Sequence, residues 1–216
     1  MNNSLHSSSA KQNWATRWST FYSIQEELGR NYIIDPCCEV ETAKCGLYIT
    51  KEVDMFNVGR FRDHFKDHPS WDVHPLEEVH CFANPEYARE QVKFVKEFIR
   101  QTELDGNLVV DVLIPAKTDT QLFHSIILKH ATSIRFVRGR IVFGSDSYWE
   151  ELWDSPLKED GTKNSLYGKH GKMNPAAFPS MVVSFGEKLG NGKKQPLNIS
   201  PLELTRARYP DSILTS

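Results

Sequence analysis

Residues 108–114 carry aliphatic side chains at six of their seven positions, interrupted only by Asp111. A strand without apolar–polar alternation is stable only when both of its faces are buried, as in the middle of a parallel sheet that helices cover on both sides. Pro115 ends the run. The segment therefore predicts a central strand and, with it, an α/β architecture.

Helical and strand-like patterns alternate around this segment. Amphipathic helices are predicted over 15–29, where Gly29 supplies the C-cap, through 92–99, and over 119–131. Short apolar runs predict further strands at 32–34, 47–50, 79–83, 134–137, 141–143 and 181–185. This alternation predicts one doubly wound, Rossmann-like and mainly parallel sheet. Because no helix separates the last strands, we expect an antiparallel C-terminal edge.

A chain of 216 residues suits a single α/β domain with tails. We predict a disordered tail over 1–13, the domain over 14–186 and a C-terminal tail over 187–216. Within the domain, 145–178 is an insertion of a length that is usually functional or disordered. The chain has neither an apolar run of the roughly 18 residues needed to span a bilayer nor a secretory signal pattern, so we expect a cytoplasmic protein.

The formal net charge of −2 argues against a broadly basic surface for nucleic acid. It leaves room for an enzyme that holds nucleic acid through one local basic face. The four cysteines lack the paired spacing of zinc sites, and the histidines between 64 and 80 show no ligand spacing. We therefore predict no metal site from Cys37, Cys38, Cys45, Cys81, His64, His68, His74 and His80.

The motif Asn-Pro-Glu-Tyr at 84–87 directly follows a predicted strand, and open α/β sheets bind ligands at the carboxyl ends of their strands. The exocyclic amine of adenine is a poor nucleophile, because its lone pair is delocalised into the ring. An Asn oxygen and the next Pro carbonyl can accept its two hydrogens and localise that lone pair, while an aromatic ring stacks on the extruded base. An Asn-Pro turn or a helix N-cap is the alternative interpretation.

Several separated segments share their order and residue types with one known family. They are Trp14-Ala15-Thr16, Asp35-Pro36-Cys37-Cys38, Thr42-Ala43-Lys44-Cys45, Asn84-Pro85-Glu86-Tyr87, 113–120 with Phe123-His124, 134–140, Phe143-Gly144 and Phe178-Pro179-Ser180-Met181. Over roughly residues 14–186 the chain resembles the phage-type, Dam-like DNA N6-adenine methyltransferases.

The resemblance implies a methyltransferase-type sheet, S-adenosylmethionine as the cofactor and double-stranded DNA as the substrate. It gives the catalytic role of orienting and stacking on the base to Asn84, Pro85 and Tyr87. The cofactor contacts that it implies are Asp35, Cys37, Asp54 and Asn84. A helix N-cap remains an alternative for Asp35, and a plain surface acid remains one for Asp54.

Two groups of basic residues are candidates for contacts to DNA phosphates, which position a duplex without reading its sequence. One group surrounds the last predicted hairpin, made of the runs 134–137 and 141–143, and the other lies in the insertion. They are Arg135, Arg138, Arg140, Lys163 and Lys169. Surface charge unrelated to DNA is the alternative for both groups.

Glu86 stands where the resembled family has a second proline. Proline fixes φ and stiffens a loop, whereas glutamate loosens it and adds a negative charge near DNA. Normal methylation, a change of substrate to another amine, and a degenerate site that still binds all remain open. The alternative function is therefore a catalytically degenerate methyltransferase fold that acts as a DNA-binding or host-protein-binding module.

Overall fold

The structure is a computed structural model that describes residues 14–87, 90–158, 160–188, 193 and 195–204. The predicted tail over 1–13 lies outside these residues. The described strands are β1 (Tyr32–Asp35), β2 (Leu47–Tyr48), β3 (Val79–Ala83), β4 (Leu108–Pro115), β5 (Ser133–Val137), β6 (Ser180–Phe185) and β7 (Asn198–Leu202). The described α-helices are α1 (Trp18–Leu28), α2 (Phe61–Phe65), α3 (Gln91–Leu104), α4 (Leu128–His130) and α5 (Asp146–Asp154).

Three shorter helical segments complete the described secondary structure. Two are 3₁₀ turns, Val40–Thr42 after β1 and Met55–Asn57 after β2. The third, Leu122–Ile127, is π-helical and leads directly into α4. Among the described helices, none combines the length and the apolar character needed to cross a membrane.

The strands form one sheet in the order β2-β1-β3-β4-β6-β5-β7. Strands β2, β1, β3 and β4 are parallel, β6 is antiparallel to both of its neighbours, and β7 runs parallel to β5. The predicted mainly parallel sheet with an antiparallel C-terminal part is confirmed. Within that part, the antiparallel strand lies between β4 and β5, and β7 forms the outer edge.

All eight residues of β4 are buried, as its apolar sequence predicts. Its side chains alternate between two hydrophobic cores, with Val112 in one and Leu113 in the other. The first core includes Phe61 of α2 and Phe98 of α3. The second lies under α1, which contributes Phe21. Helices therefore cover both faces of the sheet, and the predicted doubly wound architecture is confirmed.

Asp111 is the polar exception within β4, and its side chain is fully buried. Arg30 Nε lies 3.2 Å from Asp111 Oδ2, and the Tyr32 hydroxyl donates to the same oxygen at 2.8 Å. Burial raises the pKa of Asp111, and the nearby guanidinium opposes that effect. Arg30 also pairs with Glu187, which follows β6. This network joins the end of α1 to the middle of the sheet.

Two expectations for the C-terminal half differ from the structure. The predicted hairpin does not form, because β6 and β7 occupy both sides of β5 and leave no edge for residues 141–143. Ile141 instead packs in the second core, and its backbone oxygen accepts from the Ala176 N–H at 2.8 Å. Part of the segment predicted as a C-terminal tail forms β7 and extends the sheet.

Candidate active site

The carboxyl ends of β1, β3, β4 and β5 meet the amino end of β6 at one edge of the sheet. Asp35 is the last residue of β1, and Asn84 directly follows the neighbouring β3. The Ala116 N–H after β4 donates to the Pro179 oxygen before β6 at 2.9 Å. The two principal site residues predicted from the sequence therefore lie at the same edge, which is where α/β sheets bind ligands.

Both polar ends of the Asn84 side chain are engaged. Its Nδ2 donates to the backbone oxygen of Trp14 at 2.7 Å, and its Oδ1 accepts from the Tyr87 hydroxyl at 2.5 Å. Pro85 is buried and Asn84 is half-buried. The amide therefore has a defined orientation, in which the oxygen lies on the side of Tyr87.

Tyr87 belongs to a cluster of four aromatic side chains, which we call the aromatic cluster: Trp14, Tyr87, Phe143 and Phe178. The Tyr87 ring centroid lies 5.5 Å from that of Phe178 and 5.9 Å from that of Trp14. Burial raises the pKa of the Tyr87 hydroxyl well above its ordinary value, so this group stays protonated and acts as a hydrogen-bond donor to Asn84. The sequence motifs include these aromatic residues, but local periodicity gives no signal that they meet.

Glu86 is exposed, and its Oε1 lies 3.5 Å from Lys51 Nζ in the loop after β2. Since β1 lies between β2 and β3 in the sheet, this ion pair spans the end of β1. The two side chains are 65% and 76% exposed, and ion pairs of this kind contribute at most about 1 kcal/mol. The ion pair therefore shows that the two loops lie close together, but it contributes little to their stability.

Asp35 is buried, with 3% of its surface exposed. Its two carboxylate oxygens accept from the Cys37 N–H at 3.3 Å and from the Lys44 N–H at 3.0 Å. Burial raises the pKa of Asp35 to about 6, and these N–H groups oppose the effect. The carboxylate thus joins the two ends of the loop after β1. Glu39, not Asp35, occupies the N-cap of the 3₁₀ turn in this loop.

Asp54 caps the 3₁₀ turn after β2. Its carboxylate accepts from the Phe56 N–H at 3.2 Å and from Asn57 Nδ2 at 2.9 Å. Its φ of +58° is the sole positive value among the described non-glycine residues, and such backbone strain is common at ligand sites. Cys37 Sγ lies 3.4 Å from Met55 Sδ, so the loops after β1 and β2 are in contact.

Cys45 and Cys81 are buried, and Cys37 and Cys38 are half-buried. Burial raises the pKa of Cys37, Cys38, Cys45 and Cys81, so these thiols are protonated near neutral pH. In the described part of the chain, no group of three or more Cys, His, Asp or Glu residues could hold a metal ion.

The 145–178 insertion begins with α5, which contacts the segment that precedes it. Trp149 of α5 donates through Nε1 to the Phe143 oxygen at 3.1 Å. The buried Asn164 side chain donates to the backbone oxygens of Leu152 and Ser155 at 2.5 and 2.8 Å. Hydrogen bonds therefore link the insertion to Phe143 of the aromatic cluster and join segments within the insertion.

The basic residues predicted to contact DNA lie in two different environments. Arg135 is half-buried and donates to Ser200 Oγ at 2.9 Å, whereas Arg138 is exposed and lies 2.8 Å from Glu203. Arg140 is exposed. Lys163 and Lys169 are exposed on the insertion. Arg135 and Arg138 thus lie beside β7, and the two lysines lie on the insertion.

A cavity of about 230 Å³ opens between the aromatic cluster and the insertion. Its lining is largely aromatic and aliphatic, with one primary amide. The lining residues include Trp14, Phe143, Tyr148, Trp149, Leu166 and Asn174. Two members of the aromatic cluster form part of its wall, so the cavity is adjacent to the Asn84–Tyr87 pair.

The doubly wound sheet, with its antiparallel strand next to β4 and the Asn-Pro-Glu-Tyr segment at the end of β3, has the architecture of a methyltransferase-type fold. The family model described as DNA N-6-adenine-methyltransferase (Dam) matches residues 3–160. The chain therefore belongs to this family, and the resemblance seen in the sequence motifs is confirmed. None of the curated proteins matches the sequence.

Proposed function

We propose that this protein transfers a methyl group from S-adenosylmethionine to the N6 amine of an adenine extruded from double-stranded DNA. The observation that carries the proposal is the Asn84 amide, fixed with its oxygen toward Tyr87 at the carboxyl end of β3. Membership of the Dam family gives DNA adenine methylation as the activity class. The cofactor, base extrusion and residue roles are our inferences.

In this proposal, Asn84 Oδ1 and the Pro85 carbonyl accept the two hydrogens of the adenine amine. This localises the nitrogen lone pair and holds the amine in the line of attack. Tyr87 must release Asn84 Oδ1 to make room for the amine, and its ring then stacks on the base. An amide oxygen and a peptide carbonyl are weak bases, so the rate enhancement comes from positioning the amine and not from removing its proton.

The residues near the ends of β1 and β2 fit S-adenosylmethionine. The half-buried Asp54 has a carboxylate that accepts from the Phe56 N–H, and the Phe56 side chain is 40% exposed; a carboxylate and an exposed aromatic ring suit a ribose hydroxyl and an adenine ring. Asp35 would act through the loop that it holds, together with Cys37 in that loop. When bound, the cofactor would supply the methyl group: the methyl–sulfur bond breaks as the methyl–N6 bond forms, S-adenosylhomocysteine leaves, and the surplus N6 proton passes to solvent.

Asn84→Ala tests the proposal directly. With purified protein, labelled S-adenosylmethionine and unmethylated DNA, we expect this variant to lose methylation by about 100-fold or more, while calorimetry still detects cofactor binding. Asn107→Ala is the matched control, because Asn107 precedes β4 at the opposite end of the sheet, and it should remain active. Equal incorporation by wild type and Asn84→Ala would refute the assigned role.

Glu86 supports a second candidate function, a binding module without catalysis. Glutamate at position 86, where the family has proline, removes a restraint on the backbone that presents the two acceptors, which disfavours catalysis more than binding. This candidate predicts that the wild-type protein shows no saturable binding of S-adenosylmethionine by calorimetry. It should still bind DNA and retard its migration in a gel-shift assay. Saturable cofactor binding would exclude it.

A further inference from the structure

Asn84 needs a fixed amide orientation if its oxygen, and not its NH₂ group, is to meet the substrate amine. A peptide oxygen can only accept a hydrogen bond, so an oxygen placed 2.7 Å from one end of the amide requires that end to be the NH₂ group. Trp14 supplies this oxygen from a segment 70 residues away in the sequence. The other end of the amide then has to be the acceptor.

Residues 14–17, which we call the N-terminal strap, are held at several points. The Trp14 ring lies 4.9 Å from that of Phe178, between centroids. The Ala15 oxygen accepts from the Gly144 N–H at 2.9 Å, and Arg17 Nη2 lies 3.2 Å from Asp146 Oδ1 at the start of α5. The strap therefore connects the insertion to the Asn84 amide.

We propose that Trp14 is a positioning residue for methyl transfer: its ring anchors the strap, and its backbone oxygen holds Asn84 with Oδ1 toward the substrate. This inference rests on the proposed function. It also accounts for an amide at position 84, since a carboxylate there would place a charged oxygen against the Trp14 oxygen.

Asn84→Asp and Trp14→Ala are the informative variants. The first keeps an acceptor but removes the NH₂ donor, and we expect its kcat to fall by about tenfold to 100-fold. The second releases the strap, and we expect a kcat lower by about tenfold with the cofactor Kd within about twofold of wild type. Both Trp14 variants keep the backbone oxygen, but Trp14→Phe also keeps an aromatic anchor, so it should retain most of the activity.

Trp71→Ala is the matched control, because Trp71 packs on Arg62 and not in the aromatic cluster. It should leave kcat unchanged within about twofold. Wild-type kcat in both Asn84→Asp and Trp14→Ala would overturn the positioning role, even if Asn84→Ala is inactive.

A readout that does not depend on catalysis separates this inference from the proposed function. In ¹⁵N spectra, the Asn84 side-chain amide is assigned as the NH₂ pair missing from Asn84→Asp. We expect slow hydrogen exchange of this pair in wild type and in Trp14→Phe, and fast exchange in Trp14→Ala. Fast exchange in wild type would overturn the inference, whereas absence of methylation together with slow exchange would refute only the proposed function.

Discussion

Asp35 should make the protein less stable as the pH rises through the range in which this buried carboxyl ionises. Burial raises its pKa from 3.8 to about 6 in the folded state, so the folded protein binds this proton more tightly than the unfolded chain does. The contribution of the group to stability is therefore fully present below about pH 4 and is lost as the pH passes 6. The full effect corresponds to about 3 kcal/mol at 1.36 kcal/mol per pKa unit.

Comparison with Asp35→Asn isolates this effect from other titrating groups. The asparagine side chain stays neutral at every pH. One of the two backbone N–H groups that donate to Asp35, however, loses its acceptor in the variant. That loss costs roughly 1–3 kcal/mol at all pH values. The free energy of unfolding of wild type, minus that of the variant, should therefore fall by about 2 kcal/mol between pH 4 and pH 7.

Urea unfolding at a series of pH values measures this difference, with tryptophan fluorescence as the signal. The chain has five tryptophans, and neither protein requires ligand for the measurement. A difference that stays constant from pH 4 to pH 7, or that rises with pH, would refute the assignment of a raised pKa to a buried Asp35. It would also weaken the structural role given to this carboxylate in the loop after β1.

Three further predictions concern the motif loop, the buried ion pair and the DNA surface. Glu86→Pro should raise kcat by a few-fold by stiffening the loop, as measured with labelled cofactor; Lys51→Ala, which breaks the same ion pair, should not. Arg30→Met should lower the free energy of unfolding by about 3–5 kcal/mol, because it leaves Asp111 buried without its cation; adding Asp111→Leu should recover much of that loss in urea titrations. Lys163→Ala should reduce the slope of log K against log salt for DNA by about 1, whereas removal of an exposed lysine on α3 should leave it unchanged.

Local sequence patterns were sufficient for the elements that depend on neighbouring residues. The apolar run at 108–114, interrupted only by Asp111, predicts β4, and the Asn-Pro pair after an apolar run predicts that Asn84 lies at the carboxyl end of a strand. The order of the strands in the sheet cannot be predicted from local patterns, because it depends on contacts between distant segments. The run at 181–185 is as apolar as a parallel strand, and nothing in its periodicity indicates that it pairs with both β4 and β5. Once β6 lies there, residues 141–143 cannot form a hairpin with β5.

The contacts within the candidate site likewise join residues that are distant in the sequence, and local patterns do not predict them. The sequence indicates Asn84 and Tyr87 through their motif, but the hydrogen bond from Asn84 to Trp14 joins residues 70 positions apart. Asp35 illustrates a further point. Its position at the end of β1 is predictable, whereas its burial and its bonds to Cys37 and Lys44 follow from how the loop folds back.

The departure at Glu86 can be understood from these long-range contacts. A second proline would restrict the backbone that presents the two acceptors, and glutamate removes that restriction. In this chain the Asn84 side chain is held by two hydrogen bonds, one to the strap and one from Tyr87. Restraint on the side chain can thus replace part of the restraint on the backbone. If so, Trp14→Ala should cost more activity in wild type than in the Glu86→Pro background, and equal losses in the two backgrounds would show that the two restraints act independently.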